Sequence, residues 1–89
     1  MVPFPLGQVV ATPGALKLLE ENGEEPLYYL IRHRSGDWGE IDSQDRRENE
    51  RCLKHGWRLL SSYPVGEETV WIITEADRSY TTILLPEEY

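Results

Sequence analysis

The sequence predicts a single α+β domain in the order β-α-α-α-β-β-β, with helices packed on one face of an antiparallel sheet. Three observations carry this. The paired valines of "GQVVA" (7–11) read as a short strand. Between 12 and 56, three stretches open at a proline or serine and close at a glycine, as helices do. From 57 onward, "WRLLSSY" (57–63), "ETVWIITE" (68–75) and "YTTILL" (80–85) are rich in β-branched and aromatic residues. "PVGE" and "ADRS" supply hairpin turns between them. Helices followed by an antiparallel meander imply a two-layer α+β arrangement. At 89 residues the chain, 1–89, has room for one small core and no second domain.

The first helix is predicted from Thr12 as N-cap and Pro13 at the first helical position, where a missing N–H costs nothing. It runs through "GALKLLEEN" and stops at Gly23. Pro26 starts the second, "PLYYLIRHR", with Leu27, Leu30 and Ile31 sharing a face at i, i+3 and i+4, and Gly36 ending it. The third, Ser43 to His55, is mostly polar. Arg46–Glu50 and Glu50–Lys54 stand at i, i+4 and support a solvated face, while Asn49 falls on the same side as Leu53.

Strand parity sorts the meander into two faces. Setting Glu75 opposite Tyr80 gives an aliphatic face of Val70, Ile72, Thr74, Thr81, Ile83 and Leu85, which should meet the helices. The other face carries Trp71, Ile73, Glu75, Tyr80, Thr82 and Leu84. Setting Tyr63 opposite Thr69 adds Trp57, Leu59, Ser61 and Tyr63 to this second, aromatic face. Few elements remain to cover it, and an uncovered aromatic face marks a binding or subunit interface. The expected binding residues are Trp57, Tyr63, Trp71, Glu75, Tyr80 and Thr82. The plainer alternative is that "MVPFPL" and "PEEY" fold across it.

Composition narrows the function classes. A net charge of −7 works against phosphate neutralisation, so nucleic acid is not the expected partner. Cys52 is the only cysteine, which leaves no intrachain disulfide or Cys₂-type zinc site and fits a reducing, cytoplasmic setting. The start, "MVPFPLG", has no charged n-region or long apolar run, and no stretch approaches a membrane span. His33, His55, Asp37 and Cys52 lack a recognised metal-ligand spacing, and no Gly-rich loop calls for a cofactor.

"RHRSGDWGEID" (32–42) is the densest group of chemically able residues. His33 could act as a general acid or base if a partner such as Asp37 orients it in a closed pocket. The structural alternative is a helix stop at Ser35-Gly36-Asp37, a core plug at Trp38 and a turn at Gly39. In the last turn of a helix, histidine also complements the dipole. Arg78, with Thr81 and Thr82 behind it, could bind phosphate or carboxylate, while Glu75 and Asp77 offer it a local ion pair instead. The candidate catalytic residues are therefore His33, Asp37, Asn49 and Arg78. Whether Asn49 and Arg78 return to meet His33 decides their importance.

The passages "VVATPGAL", "RHRSGDWG", "LLSSY" and "WIITEADRSYTTILLP" together resemble a family of short bacterial proteins of plasmids and integrative elements. The resemblance runs from Leu6 to Tyr89 and implies a mobile-element setting. Some members carry the label of a type I restriction methylation subunit. That chemistry needs a glycine-rich cofactor loop and an N-P-P-[YF] motif, and this chain has neither. In layout only, the chain is similar to RelE-like and barnase-like ribonucleases. That likeness implies Arg58, Arg78, His33 or a tyrosine at a scissile phosphate.

The leading expectation is a cytoplasmic, non-enzymatic accessory module that binds a protein partner, or a second copy of itself, through the aromatic face. A small ribonuclease or other phosphate-handling enzyme is the alternative. An acidic inhibitor of a defence enzyme is a further one.

Overall fold

The computed structural model describes residues 4–89, apart from the side chains of residues 52–55. Its elements are β1 (Gln8–Ala11), α1 (Pro13–Glu21), α2 (Pro26–Arg34), α3 (Ser43–His55), β2 (Leu59–Val65), β3 (Glu68–Thr74), β4 (Tyr80–Leu84) and a 3₁₀ turn, η1 (Pro86–Glu88). This is the expected β-α-α-α-β-β-β order. The expected place of Leu53 and the Glu50–Lys54 pair lie outside the described side chains.

Local chemistry places the helix ends. Thr12 Oγ1 accepts from the Ala15 N–H at 3.1 Å and caps α1. At its other end Glu24 N–H bonds Leu19 C=O at 2.8 Å and Gly23 N–H bonds Glu20 C=O at 3.1 Å. That pair of bonds is a Schellman stop. The end of α2 repeats it: Asp37 N–H reaches Arg32 C=O at 2.9 Å and Gly36 N–H reaches His33 C=O at 3.1 Å. Gly36 carries the left-handed φ of 86° that this stop requires. Asp42 starts α3, its Oδ1 accepting from Asp45 N–H at 2.8 Å.

The sheet order is β1-β4-β3-β2. β2, β3 and β4 form the antiparallel meander. β1 joins its edge in parallel with β4, Val9 opposite Thr81 and Ala11 opposite Ile83. In the β3–β4 hairpin Thr74 faces Thr81, and Glu75 N–H bonds Tyr80 C=O, the expected register. Val70, Ile72, Thr74, Thr81 and Ile83 are buried on the helix side, each at most 1% exposed.

The β2–β3 register differs by one residue from expectation. Tyr63 pairs with Val70 rather than Thr69, because the turn is only Gly66-Glu67 and Val65 pairs with Glu68. Pro64 stays inside the strand. β2 is an edge strand and Pro64 turns its nitrogen outward, so no ladder bond is lost. The shift exchanges faces. Leu59, Ser61, Tyr63 and Val65 now join the core, all at most 2% exposed. Trp57 precedes the strand and stands exposed.

The main core gathers Leu18 and Leu19 of α1, Tyr29 and Leu30 of α2, and Tyr63, Val70, Ile72 and Ile83 of the sheet. A second cluster joins Phe4, Trp38 and Leu59. α2 contributes differently than its spacing suggests. Its inward stripe is Tyr29, Leu30 and His33, whereas Leu27 and Ile31 are 64% and 56% exposed.

Candidate functional site

His33 is fully buried and held at both ring nitrogens. Nδ1 lies 2.5 Å from Ser61 Oγ and Nε2 lies 2.9 Å from Thr74 Oγ1. Thr74 Oγ1 in turn lies 2.7 Å from Thr81 Oγ1, which donates to Leu6 C=O at 2.8 Å. That terminal carbonyl can only accept, and it sets the direction of the whole chain. Thr81 spends its proton on Leu6, so Thr74 donates to Thr81. Thr74 must then accept from His33 Nε2–H. The ring is buried beside the positive charge of Arg78, which keeps it neutral, and a neutral ring with its proton on Nε2 leaves Nδ1 to accept from Ser61. Phe4 and Trp38 stand edge-on to it at 5.2 and 5.7 Å between centroids. Burial, and next the positive charge of Arg78, push its pKa down to about 3.

The other three catalytic candidates do not converge on His33 as a site. Asp37 accepts from Arg32 Nε at 2.7 Å and from Gly39 N–H at 3.3 Å. The Arg32 hydrogen bond holds its carboxyl below the usual carboxylate range. Arg32 itself lies 4.6 Å over the Tyr63 ring, and the Tyr63 hydroxyl donates to Asp37 C=O. Burial pushes the Tyr63 hydroxyl up to about 12.

Asn49 works on the sheet edge. Its Nδ2 donates to Leu60 C=O at 2.6 Å and its Oδ1 accepts from Leu60 N–H at 3.2 Å. One residue pair along, Ser62 N–H bonds Trp38 C=O at 3.0 Å and Glu40 N–H bonds Ser62 C=O at 2.7 Å. The outward backbone groups of Leu60 and Ser62 are thereby paired, which closes that stretch of the β2 edge to other strands. Gly39 lets the loop approach this closely: a Cβ there would sit 2.1 Å from Ser62 O, and its φ is 75°.

Arg78 approaches His33 but is occupied. Nη1 donates to Trp57 C=O at 2.7 Å, Glu75 C=O at 2.9 Å and Ala76 C=O at 3.3 Å, and the guanidinium lies 5.7 Å from the Phe4 centroid. Its residue also takes a left-handed φ of 61°, shaping the β3–β4 turn. His33, Asp37, Asn49 and Arg78 therefore serve packing, a helix stop, a strand edge and a turn. Of the residues named for the alternative ribonuclease reading, His33 is enclosed in the core, Arg78 caps the β3–β4 turn, and Arg58 bonds the Tyr89 hydroxyl. Among the described residues no His, Cys, Asp and Glu side chains cluster in a metal-binding group.

The open sheet face is where accessible chemistry remains. Of the expected binding set, Trp71, Glu75, Tyr80 and Thr82 lie on it, and Tyr63 and Trp57 do not. The expected cover by "PEEY" is partly realised, since η1 lies against β3. Glu88 anchors it, accepting from Thr12 Oγ1 at 2.6 Å and from Leu85 N–H at 2.8 Å. The Tyr89 ring meets Trp71 edge-on at 5.8 Å, and its hydroxyl accepts from Arg58. Together Arg58, Leu60, Trp71, Ile73 and Tyr89 line an apolar cleft of about 220 Å³. Sequence reasoning missed the part of Leu60 and Tyr89; the mixed parity of β2 hid the first. The signal for the second was an aromatic directly after a proline-initiated turn.

No family model, curated protein or solved structure matches the chain. No helix among the described residues is long and apolar enough to cross a membrane.

Proposed function

We propose that this protein is a non-enzymatic binding module that engages a protein partner through the Trp71 cleft. The observation that carries the reading is the cleft itself. It is an apolar notch with two aromatic walls and one cation, Arg58, on the sheet face that the helices leave open. Such a notch suits a large apolar side chain with an Asp or Glu beside it, the arrangement of an anchor residue and a charged rim. The dispersal of His33, Asp37, Asn49 and Arg78 into structural tasks supports binding over catalysis. A mobile-element setting, and a cytoplasmic one, belong to the same proposal and rest on the sequence resemblance and the single cysteine.

Selection of a displayed random-peptide library on the purified protein tests it. The expected ligands combine an aromatic or large aliphatic residue with a neighbouring acid. Their binding should fall about tenfold or more for Trp71→Ala, in keeping with an aromatic anchor, and more weakly for Arg58→Ala. Ligands that bind Trp71→Ala and wild type equally, or a selection with no common pattern, contradict the proposal.

A further inference from the structure

α2 is apolar on both sides. Its inner stripe fills the core, while Leu27, Tyr28 and Ile31 are each more than half exposed on the outer side. Leu27 and Ile31 are one turn apart, so they form one ridge, with Tyr28 beside it. Exposed apolar residues on three of nine helical positions are more than scattered surface hydrophobics.

The charges around this ridge are arranged by position. Glu24 and Glu25 precede the helix, and Glu20 of α1 stands with them around a groove of about 410 Å³ floored by Leu16 and Pro26. Leu16 is itself 45% exposed. At the other end, Arg34 is exposed beside the ridge, three residues after Ile31 and seven after Leu27. Its Nε donates to Phe4 C=O at 3.3 Å, which fixes the base of the side chain at that end.

We infer that α2 pairs antiparallel with α2 of a second copy of this chain. The ridge is self-complementary in that direction. Setting Leu27 opposite Ile31 of the second copy sets Ile31 opposite Leu27 by symmetry. The same register brings Arg34 of each chain to Glu24 of the other, at the mouth of the acidic groove. A parallel pairing would instead stack Glu24 on Glu24 and Arg34 on Arg34. The antiparallel arrangement is an isologous two-fold contact. A nine-residue helix is only about 13 Å long, so the contact is at the small end of specific interfaces and the dimer is weak, roughly micromolar to millimolar. The helices lie on the opposite side of the sheet from the Trp71 cleft, so the pairing leaves both clefts open.

Sedimentation equilibrium on the whole chain, over concentrations up to about 1 mM, tests this. Wild type should show a monomer–dimer equilibrium. Ile31→Glu, or Leu27→Glu as a second variant, should weaken it about tenfold or more, as burying an unpaired charge in the ridge requires. Both positions are exposed, and an unchanged far-ultraviolet circular dichroism spectrum checks the fold. Glu24→Arg and Arg34→Glu should each weaken the dimer a few-fold alone and restore it together. A monomer at every concentration overturns the inference, as does a dimer indifferent to Ile31→Glu. Failure of the paired reversal to restore association overturns the antiparallel register. Because the cleft residues are untouched, peptide binding at Trp71 reports separately on the proposed function.

Discussion

The two faces of the sheet place polar chemistry in opposite ways. On the helix side, Ser61, His33, Thr74 and Thr81 form a closed chain inside an apolar core, directional from Nε2 through Thr74 and Thr81 to Leu6 C=O. On the open side, polar and aromatic groups stay accessible around Trp71, Tyr89 and Arg58. The residues that look most catalytic are thus the best satisfied, and those that look like ordinary strand residues keep accessible surface. A buried polar network stabilises one arrangement of the core only while all its members are paired. The aromatic cleft, half-buried at Trp71 and Leu60, keeps part of its apolar lining in reach of solvent.

That contrast can be broken most forcefully at the plug of the closed side. Trp38→Ala removes a fully buried ring from between Phe4, His33 and Leu59, and should cost about 3–5 kcal/mol in urea unfolding. In a domain this small such a loss approaches the entire stability. His33→Ala should cost about 2–4 kcal/mol, since it opens a cavity and strands Ser61 and Thr74 together. Asn49→Ala should cost about 1–3 kcal/mol by leaving the Leu60 backbone groups unpaired, and should raise the tendency to aggregate through the β2 edge. At the small end, Trp71→Ala on the open face should cost less than any of these three buried substitutions while weakening cleft binding about tenfold or more. Equal losses for His33→Ala and Trp71→Ala would erase the distinction between the faces.

The closed side also predicts a pH dependence with a definite sign. His33 is near its ordinary value of 6.5 when unfolded and is pushed down to about 3 when folded. Between those values the unfolded chain takes up a proton that the folded chain refuses. Stability should therefore be complete above about pH 6.5 and fall toward pH 3, by at most about 1.4 kcal/mol per pH unit from this group. His33→Gln, measured by urea unfolding across the same range, should flatten that slope.

Much of the fold was legible because its signals are local. Thr12-Pro13 and Ser35-Gly36-Asp37 specify helix ends within a few residues, and "RHRSGDWGEID" proves to be a helix stop followed by an edge-closing loop. The β3–β4 register followed from one hairpin. What sequence hid was non-local. Pro64 reads as the start of a turn, and only its place on an edge strand lets it remain in β2. The parallel joining of β1 depends on which strand lies at the sheet margin. His33 is explained by partners 28 and 41 residues away. The outer ridge of α2 was concealed because apolar residues occupy both sides of the helix, and spacing alone selects neither.

His33 is held in the core as a neutral residue of fixed tautomer. Long-range ¹H–¹⁵N correlation of the His33 ring through a pH titration, in a His55→Gln variant so that its signals stand alone, tests it directly. The expected result is an Nε2–H tautomer whose signals stay constant from about pH 8 to about pH 4.5, above the depressed pKa. Signals that titrate near pH 6.5, or a ring protonated on Nδ1 at neutral pH, would contradict it and return His33 to the list of accessible acid–base groups.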